Sequence, residues 1–203
     1  MVSDIINHEY GCDDMISFYD FFMKPLEKRG IKEARKRLMR QASGAVLEIG
    51  SGTGANLKFY NFDQITDLTI TDKKLSKRIQ KMDLKQIKLV EADVSNLPFP
   101  DDSFNTIVHT LVFCSVTDVS KGILELKRVL KPNGKIIFIE HVLPEHTFLK
   151  RTFKFINPIW RTFASGCNLT RSYQDSLEQE GFEISGLSKF MKTVFISGIA
   201  KEK

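Results

Sequence analysis

Apolar residues recur along this chain in short runs, and the segments between the runs have helical periodicity. The predicted strands cover 45–49, 67–71, 87–91, 104–109 and 135–141. The last run contains Ile-Ile-Phe-Ile, which is apolar on both faces, as a central parallel strand requires. Strands that alternate with helices in this way predict an α/β fold with a doubly wound, mostly parallel sheet, which binds its ligands beyond the carboxyl ends of the strands.

The helix before the fifth strand is the best marked, because its apolar residues share one face and turn residues follow it. These residues are Val119, Ile123, Leu126 and Leu130 on the face, Thr117 or Asp118 as the cap, and Pro132-Asn-Gly134 as the stop. Further helices are predicted at 56–60, 75–82 and 171–180, and a closing hairpin at 182–187 and 193–200.

A helical leader is predicted over residues 1–42, ahead of a single domain at 43–203. Its second half is crowded with basic residues, between which apolar residues recur at helical spacing. The basic residues are Lys24, Lys28, Arg29, Lys32, Arg35, Lys36, Arg37 and Arg40. We interpret them as the solvated face of a helix, and the earlier aromatic residues, among them Tyr19, as a lid that closes one side of a ligand cleft.

The composition is that of a globular protein: 203 residues, 42% hydrophobic and 27% charged. The cysteines Cys12, Cys114 and Cys167 lie far apart and form no CxxC pair, so neither a disulfide framework nor a metal site is predicted, and a reducing cytoplasm fits best. No run approaches the roughly 20 apolar residues of a membrane span. The net charge of +5 leaves a nucleic-acid or anionic-membrane partner open.

The first strand runs directly into a glycine-rich turn, Gly50-Ser-Gly-Thr-Gly54. Such a turn lets the backbone approach a ligand closely, because glycine has no Cβ and adopts positive φ readily. The turn alone does not name the ligand. Gly50, Gly52 and Ala55 also satisfy the loose dinucleotide fingerprint, with Asp72 placed to hold a ribose.

Acidic residues at the strand ends favour a nucleoside without phosphates. Glu48 lies just before the turn, Asp72 ends the second strand and Asp93 ends the third. Asp72 can accept hydrogen bonds from both ribose hydroxyls, and Asp93 can accept one from an adenine amino group. A dinucleotide enzyme also usually needs a substrate domain, for which this chain leaves little room. The alternative is that Glu48 and Asp93 only cap strand ends or helix starts.

Three motifs, in this order and spacing, resemble those of the class I S-adenosylmethionine-dependent methyltransferases, in particular the ubiquinone/menaquinone and phospholipid methyltransferase-like branch. They are Val-Leu-Glu-Ile-Gly-Ser-Gly-Thr-Gly at 46–54, Ala-Asp-Val-Ser-Asn-Leu-Pro-Phe-Pro-Asp-Asp-Ser-Phe at 92–104 and Arg-Val-Leu-Lys-Pro-Asn-Gly-Lys at 128–135. The resemblance covers most of the chain. It implies a seven-stranded Rossmann-like sheet with an antiparallel seventh strand, which the closing hairpin can supply, and S-adenosylmethionine as the cofactor.

The resemblance also implies a set of cofactor-binding residues. Glu48, Gly50, Ser51, Gly52 and Gly54 would hold the methionine end together with Thr53 of the same turn, Asp72 and Lys73 would flank the ribose, Asp93 and Val94 would flank the adenine, and His109 and Thr110 would lie beneath the sulfonium.

Later segments resemble the methyltransferase-like proteins whose membrane-anchored animal members methylate small thiols. These segments are Glu140-His-Val142, Ile159-Trp160 and Gly166-Cys-Asn-Leu-Thr-Arg171. This sequence departs from those members in having no apolar amino-terminal anchor, so a relative without that anchor is expected. The implied acceptor is a small molecule: a thiol, a quinone precursor or a phospholipid head group.

Methyl transfer from a sulfonium needs an in-line approach to the methyl carbon but no acid, because the leaving thioether is neutral. An amine or hydroxyl acceptor can need a base. His141 is the first candidate base and His109 the second, because each lies at the end of a strand that faces the cleft. For both, a hydrogen-bonded structural role is the alternative. A covalent route through Cys114 or Cys167 is not favoured, because buried packing is the ordinary role of a cysteine.

An aromatic and basic helix is predicted at 148–163, within a substrate-cover segment at 145–170. It would cover an apolar pocket for a lipophilic acceptor and dock on an anionic membrane, or it would pack its aromatic residues as core. The candidate acceptor-binding residues are Tyr19, Phe113, Trp160, Asn168 and Arg171. The alternative for the last two is that Thr170 caps a helix and Arg171 is solvated.

Two other functions remain open from the sequence alone. The basic leader permits a nucleic-acid methyltransferase, although the chain has no RNA-binding appendage and no Asn-Pro-Pro-aromatic motif after the fourth strand. Intact cofactor motifs are also compatible with a non-catalytic module that binds S-adenosylmethionine. The sequence does not determine the oligomeric state.

Overall fold

The computed structural model describes residues 25–82, 87–163 and 166–203. Its strands are β1 (Gly44–Ile49), β2 (Ile65–Asp72), β3 (Ile87–Glu91), β4 (Phe104–Thr110), β5 (Leu130–His141), β6 (Phe182–Phe190) and β7 (Phe195–Glu202). Its helices are α1 (Lys32–Met39), α2 (Lys77–Lys81), α3 (Val119–Val129), α4 (Thr147–Phe163) and α5 (Tyr173–Gln179). A short π-helical turn, Glu27–Ile31, leads into α1.

The strands form one seven-stranded sheet in the order β3-β2-β1-β4-β5-β7-β6. Strands β1 to β5 pair in parallel, and β7 runs antiparallel between β5 and β6. The predicted doubly wound sheet with an antiparallel closing hairpin is confirmed. Because the first and fourth strands are neighbours, the strand order reverses direction between β1 and β4, where folds of this type bind ligands.

Two local predictions were wrong. The segment after the glycine turn forms only a 3₁₀ turn, Leu57–Phe59, instead of the start of a longer helix. Strand β5 begins at Leu130 rather than at Lys135, because helix α3 ends at Val129 and the Pro132-Asn-Gly134 turn lies inside the strand. The strand accommodates the turn through a register shift in its pairing with β4, and Asn133 adopts a φ of 62°.

The core has two layers, one on each face of the sheet, because successive strand residues point to opposite faces. Leu47 and Phe138 belong to the layer that packs under α3 and α5. Val46 and Ile137 belong to the layer that packs under α1 and α2. None of the helices in the described ranges is long and apolar enough to cross a membrane.

Helix α1 packs on the sheet through Ala34, Leu38 and Met39. The interpretation of its basic residues as a solvated face was wrong for Arg35, which is only 5% exposed. This side chain points inward because it follows Ile31 by one helical turn and therefore shares the buried stripe. Arg37 donates to the Ser197 hydroxyl at 3.3 Å, whereas Lys32 and Lys36 are exposed as predicted.

Candidate cofactor and acceptor site

The glycine turn forms a concave backbone surface at the carboxyl end of β1. Gly50, Gly52 and Gly54 have φ values of 64°, 53° and 80°. A Cβ at Gly50 would lie 2.4 Å from Val112 Cγ2, so this position accepts only glycine, whereas a Cβ at Gly52 would meet nothing within 4 Å. The Ser51 hydroxyl is buried and has no hydrogen-bond partner within the described part of the chain. Open space above Gly52 and an unpaired hydroxyl beside it suit a bound polar ligand.

Asp72 closes the turn from the neighbouring strand. The Gly52 N–H donates to Asp72 Oδ2 at 2.9 Å. The Ser51 N–H donates to the Thr71 carbonyl oxygen at 3.2 Å, which aligns the end of β2 with the turn. The structure therefore brings the Asp72 carboxylate to the mouth of the turn.

Lys73 and Asp93 form an ion pair at the ends of β2 and β3. Lys73 Nζ lies 2.9 Å from Asp93 Oδ2, and the two side chains are 65% and 45% exposed. The Ser95 N–H donates to Asp93 Oδ1 at 2.9 Å. The Lys73 and Ser95 hydrogen bonds lower the pKa of Asp93. We call Gly52, Asp72, Lys73 and Asp93 the cofactor edge.

Glu48 and Thr110 lie deeper, within a buried polar network. Asn56 Nδ2 donates to Glu48 Oε1 at 2.9 Å, and the Tyr60 hydroxyl donates to Glu48 Oε2 at 2.7 Å. Burial raises the pKa of Glu48, against the opposing effect of these two hydrogen bonds and of the Arg35 charge. Glu48 is 1% exposed, and both of its oxygens are already paired. This placement favours a role in supporting the turn over direct contact with a ligand.

Arg35 connects this network to the leader. Its Nη1 donates to Asn56 Oδ1 and, at 2.8 Å, to the Thr110 hydroxyl. Its Nε donates to Glu27 Oε1 at 3.0 Å. One guanidinium therefore joins the leader to the ends of β1 and β4. A planar group with five donors is suited to such branching.

A second buried network lies at the ends of β4 and β5. His109 Nδ1 lies 2.8 Å from Glu140 Oε1, and His109 Nε2 lies 2.7 Å from the Tyr173 hydroxyl. Glu140 Oε1 also accepts the backbone N–H groups of Val112 and Phe113 at 3.0 and 3.2 Å. An oxygen that accepts these backbone N–H groups is also placed to accept the Nδ1 proton, and in the tautomer that carries this proton Nε2 accepts from the Tyr173 hydroxyl.

This network fixes the shape of the loop after β4. Both Glu140 and His109 are 0% exposed, and Tyr173 is 2% exposed. Both ring nitrogens of His109 are occupied, which supports a positioning role over proton transfer at an acceptor. Phe113 is 1% exposed and packs on His109 and Tyr173 at centroid distances of 4.8 Å each. Its placement favours core packing over contact with an acceptor.

His141 lies at the end of β5 beneath helix α4. Its ring stacks on Phe153 at a centroid distance of 5.8 Å and an interplanar angle of 10°. Burial lowers the pKa of His141 to about 4. Its Nδ1 is buried and unpaired among the described residues. At neutral pH the imidazole is in its base form, but so low a pKa makes it a weak base. We call His109, Glu140, His141 and Tyr173, with the loop after β4 and helix α4, the acceptor side.

The structure brings the other predicted acceptor-binding residues together only in part. The Asn168 side chain accepts the N–H and hydroxyl of Thr170 at 3.0 and 2.8 Å, so it closes a local turn. Arg171 is only partly exposed, and one of its nitrogens donates to the Val116 carbonyl oxygen. The N-cap position of helix α5 is Ser172 rather than Thr170, and the Ser172 side chain makes no capping hydrogen bond. Trp160 is half-buried near the end of α4, and Tyr19 lies outside the described residues.

A cavity of about 290 Å³ opens between the end of β5, the start of α5 and the β6–β7 turn. Its lining includes Glu145, Asp175 and Lys189. Because charged side chains line it, this cavity differs from the apolar pocket predicted beneath the cover segment. It includes none of the predicted cofactor-binding residues.

Sequence reasoning missed several residues that organise the site. Arg35, Asn56 and Tyr60 hold Glu48, while Glu140 and Tyr173 hold His109. The position of Arg35 one turn after Ile31 could have indicated a buried arginine. We find no signal for Tyr173, which comes from a helix that the sequence shows only as polar.

Comparison with known proteins gives consistent matches. A family described as "Methyltransferase domain" matches residues 47–138. The thiol S-methyltransferase TMT1B of Mus musculus is 32% identical over 194 residues, which cover 85% of this chain and 79% of the mouse protein. The ubiquinone/menaquinone biosynthesis C-methyltransferase UbiE of Marinomonas sp. (strain MWYL1) is 33% identical over 149 residues, which cover 66% of this chain and 59% of that protein.

Solved structures agree on the fold. The crystal structure of an S-adenosylmethionine-dependent methyltransferase from Mesorhizobium loti superposes with a TM-score of 0.65 at 17% identity. The superposition covers 86% of this chain and 99% of the other. At this identity the likeness concerns the sheet and its helices.

Proposed function

Because this chain belongs to the class I S-adenosylmethionine-dependent methyltransferases, we propose that it transfers a methyl group to the thiol of a small, lipophilic molecule. The observation that supports a thiol acceptor is that neither candidate histidine is a strong base. Burial lowers the pKa of His141 to about 4, and both ring nitrogens of His109 are hydrogen-bonded. A thiol suits such a site, because its pKa of about 8.5 already allows some thiolate at neutral pH.

The residues of the cofactor edge fit S-adenosylmethionine. The open space at Gly52 and the unpaired Ser51 hydroxyl would receive the methionine end. Asp72 with Lys73 would flank the ribose, and Asp93 with Val94 would flank the adenine. When bound, S-adenosylmethionine supplies an electrophilic methyl group on a sulfonium, whose leaving thioether is neutral.

The chain's own residues would act mainly by positioning. Glu48, Arg35 and Thr110 hold the glycine turn against the end of β4 through the buried network. His109 and Glu140 fix the loop that would face the acceptor. Helix α4, within the proposed cover at 145–170, would exclude water from the acceptor side and so favour an in-line approach. The relative named as a thiol S-methyltransferase supports this acceptor class.

A quinone precursor is the second candidate acceptor, favoured by the relative named UbiE. Methylation of a ring carbon or hydroxyl benefits from a base, and the low pKa of His141 weighs against it. A nucleic-acid acceptor is less favoured than the sequence alone suggested, because Arg35 of the basic leader is turned inward.

The test is release of S-adenosylhomocysteine with matched aryl acceptors that differ only in a thiol, hydroxyl or amine. We expect product from the thiol and a rate that rises with pH as the acceptor ionises. Asp72→Ala should lower this activity at limiting S-adenosylmethionine, whereas Asp67→Ala at the other end of β2 should keep it. Faster turnover of the phenol would instead favour quinone-like acceptors over thiols. Binding of S-adenosylmethionine without turnover of any acceptor would favour a non-catalytic module.

A further inference from the structure

Two cysteines outside the cofactor edge lie in loops that contact each other. Cys114 belongs to the loop after β4, and Cys167 belongs to the loop after α4. The Asn168 N–H donates to the Cys114 carbonyl oxygen at 2.8 Å, which holds the two loops together. The loops also approach each other one residue earlier, where a Cβ at Gly166 would lie 3.8 Å from the Ser115 carbonyl oxygen, and both cysteines are free. Such close approach of two backbone segments is the first requirement for a disulfide.

The two thiols have unlike surroundings. Cys114 is 5% exposed, and the neighbouring Cys167 together with burial raises the pKa of its thiol well above the usual value. The contacts of Cys167 with Cys114 and then Trp160, and the Arg171 charge, lower the pKa of its thiol against burial and the Glu140 charge. Cys167 is also the more accessible of the two. The pair thus combines one activated thiol with one protected thiol.

Two side-chain donors near Cys167 would also suit a thiolate. The Trp160 Nε1 and the Arg171 Nε are both buried, and neither has a hydrogen bond of normal geometry among the described residues. Buried donors without a partner are rare and cost stability. A thiolate at Cys167 would place negative charge beside both donors.

We propose that Cys114 and Cys167 form a dithiol site that exchanges with low-molecular-weight disulfides and closes as an intramolecular disulfide. In the first step the Cys167 thiolate attacks one sulfur of the small disulfide, which forms a mixed disulfide and releases one thiolate. In the second step Cys114 gives up its proton to that thiolate and attacks the Cys167 sulfur, which releases the second thiolate to take a proton from water. The small disulfide is thereby reduced to two thiols while the protein dithiol is oxidised.

The new bond would join two segments of the acceptor side. The loop after α4 is already tied to that helix, because the Leu169 N–H donates to Asn157 Oδ1 at 2.7 Å. It is tied to the loop after β4 through Arg171 and Val116. A disulfide between Cys114 and Cys167 would make this closure covalent. The inference does not depend on the class of acceptor.

The test uses the full chain in a Cys12→Ser background, bis(2-hydroxyethyl) disulfide as the probe, and intact-mass spectrometry with peptide mapping. We expect the protein to lose the mass of two hydrogen atoms, with the bond mapped to Cys114 and Cys167, and to recover on reduction. Cys114→Ser should instead trap one hydroxyethylthio group on Cys167. Cys167→Ser should react at least ~10-fold more slowly, because the remaining thiol is buried and protonated.

Stable adducts on both cysteines, a disulfide between two chains, or reaction at Cys114 before Cys167 would each overturn the proposal. So would a Cys114→Ser protein that gains no adduct. Circular dichroism of each variant checks the fold, and Cys114→Ala provides the same trap if the serine is not tolerated. Because the readout is mass, a failure of methyl transfer would not affect it.

Discussion

The cofactor edge and the acceptor side are both built from polar groups at the carboxyl ends of strands, but they differ in their access to water. Lys73 and Asp93 are 65% and 45% exposed, whereas His109 and Glu140 are fully buried. An exposed ion pair contributes little to stability and can rearrange around a ligand. A buried network is costly to disturb, because each group has lost its water. The cofactor edge can therefore change its hydrogen-bond partners when a ligand binds, whereas the buried network of the acceptor side keeps a fixed geometry.

The largest expected effect comes from removing Glu140. Glu140→Ala leaves the His109 ring N–H and two backbone N–H groups without their acceptor. We expect the free energy of unfolding to fall by about 3 to 5 kcal/mol, as when a buried charged partner is lost. Denaturant unfolding measures it. Asp93→Ala, its counterpart at the cofactor edge, should cost less than about 1 kcal/mol; equal losses would remove the distinction between the two regions.

The next effect depends on pH and concerns His141. Burial lowers the pKa of this side chain from 6.5 to about 4. Below pH 6.5 the His141 side chain therefore binds a proton in the unfolded chain but not in the folded protein. The free energy of unfolding consequently falls as the pH drops towards 4. His141→Phe should retain the stack on Phe153 and abolish this loss. The free energy of unfolding of the variant relative to the parent should rise by about 2.5 kcal/mol between pH 7 and pH 4.5.

Glu48 titrates in an overlapping range with the opposite sign, because burial raises the pKa of its carboxyl. Its contribution is common to both proteins and cancels in the difference. A difference that does not change with pH would show that His141 binds its proton equally well in the folded and unfolded states.

The smallest effect is expected at the cofactor edge. Asp72→Ala should weaken the binding of S-adenosylmethionine about 30-fold, or about 2 kcal/mol, through the loss of hydrogen bonds to a carboxylate. Stability should change little, because the Asp72 side chain makes only one hydrogen bond among those described, to the Gly52 N–H. Calorimetry measures the affinity, and Asp67→Ala on the same strand is the matched control. Unaltered affinity would separate Asp72 from the cofactor.

The cofactor edge was easier to predict from the sequence than the acceptor side. Each of its groups ends a strand or follows one by at most three residues, so the parallel sheet alone brings Gly52, Asp72 and Asp93 together. The glycine-rich sequence of the turn is a further local signal for this site. The alternation of strands and helices along the chain predicted the mostly parallel sheet, and the resemblance implied the seventh, antiparallel strand; both are confirmed.

The acceptor side and the buried network around Arg35 depend on contacts that sequence spacing does not encode. Tyr173 reaches His109 across 64 positions, and Arg35 reaches Thr110 across 75. A helix that is polar overall gave no sign that one tyrosine points inward. The start of β5 was missed because proline, asparagine and glycine normally end an element, yet here the strand accommodates them with a register shift.

The inward turn of Arg35 has a consequence for redesign. A boundary between residues 42 and 43 falls in a loop, but the guanidinium of Arg35 is hydrogen-bonded to Asn56 and Thr110 on the far side of it. A leader exchanged with that of another protein would leave those two polar groups and Glu48 without their cation. The transplantable unit is thus defined by its hydrogen bonds and not by its loops, and a functional chimera must carry Arg35 with the residues that receive it.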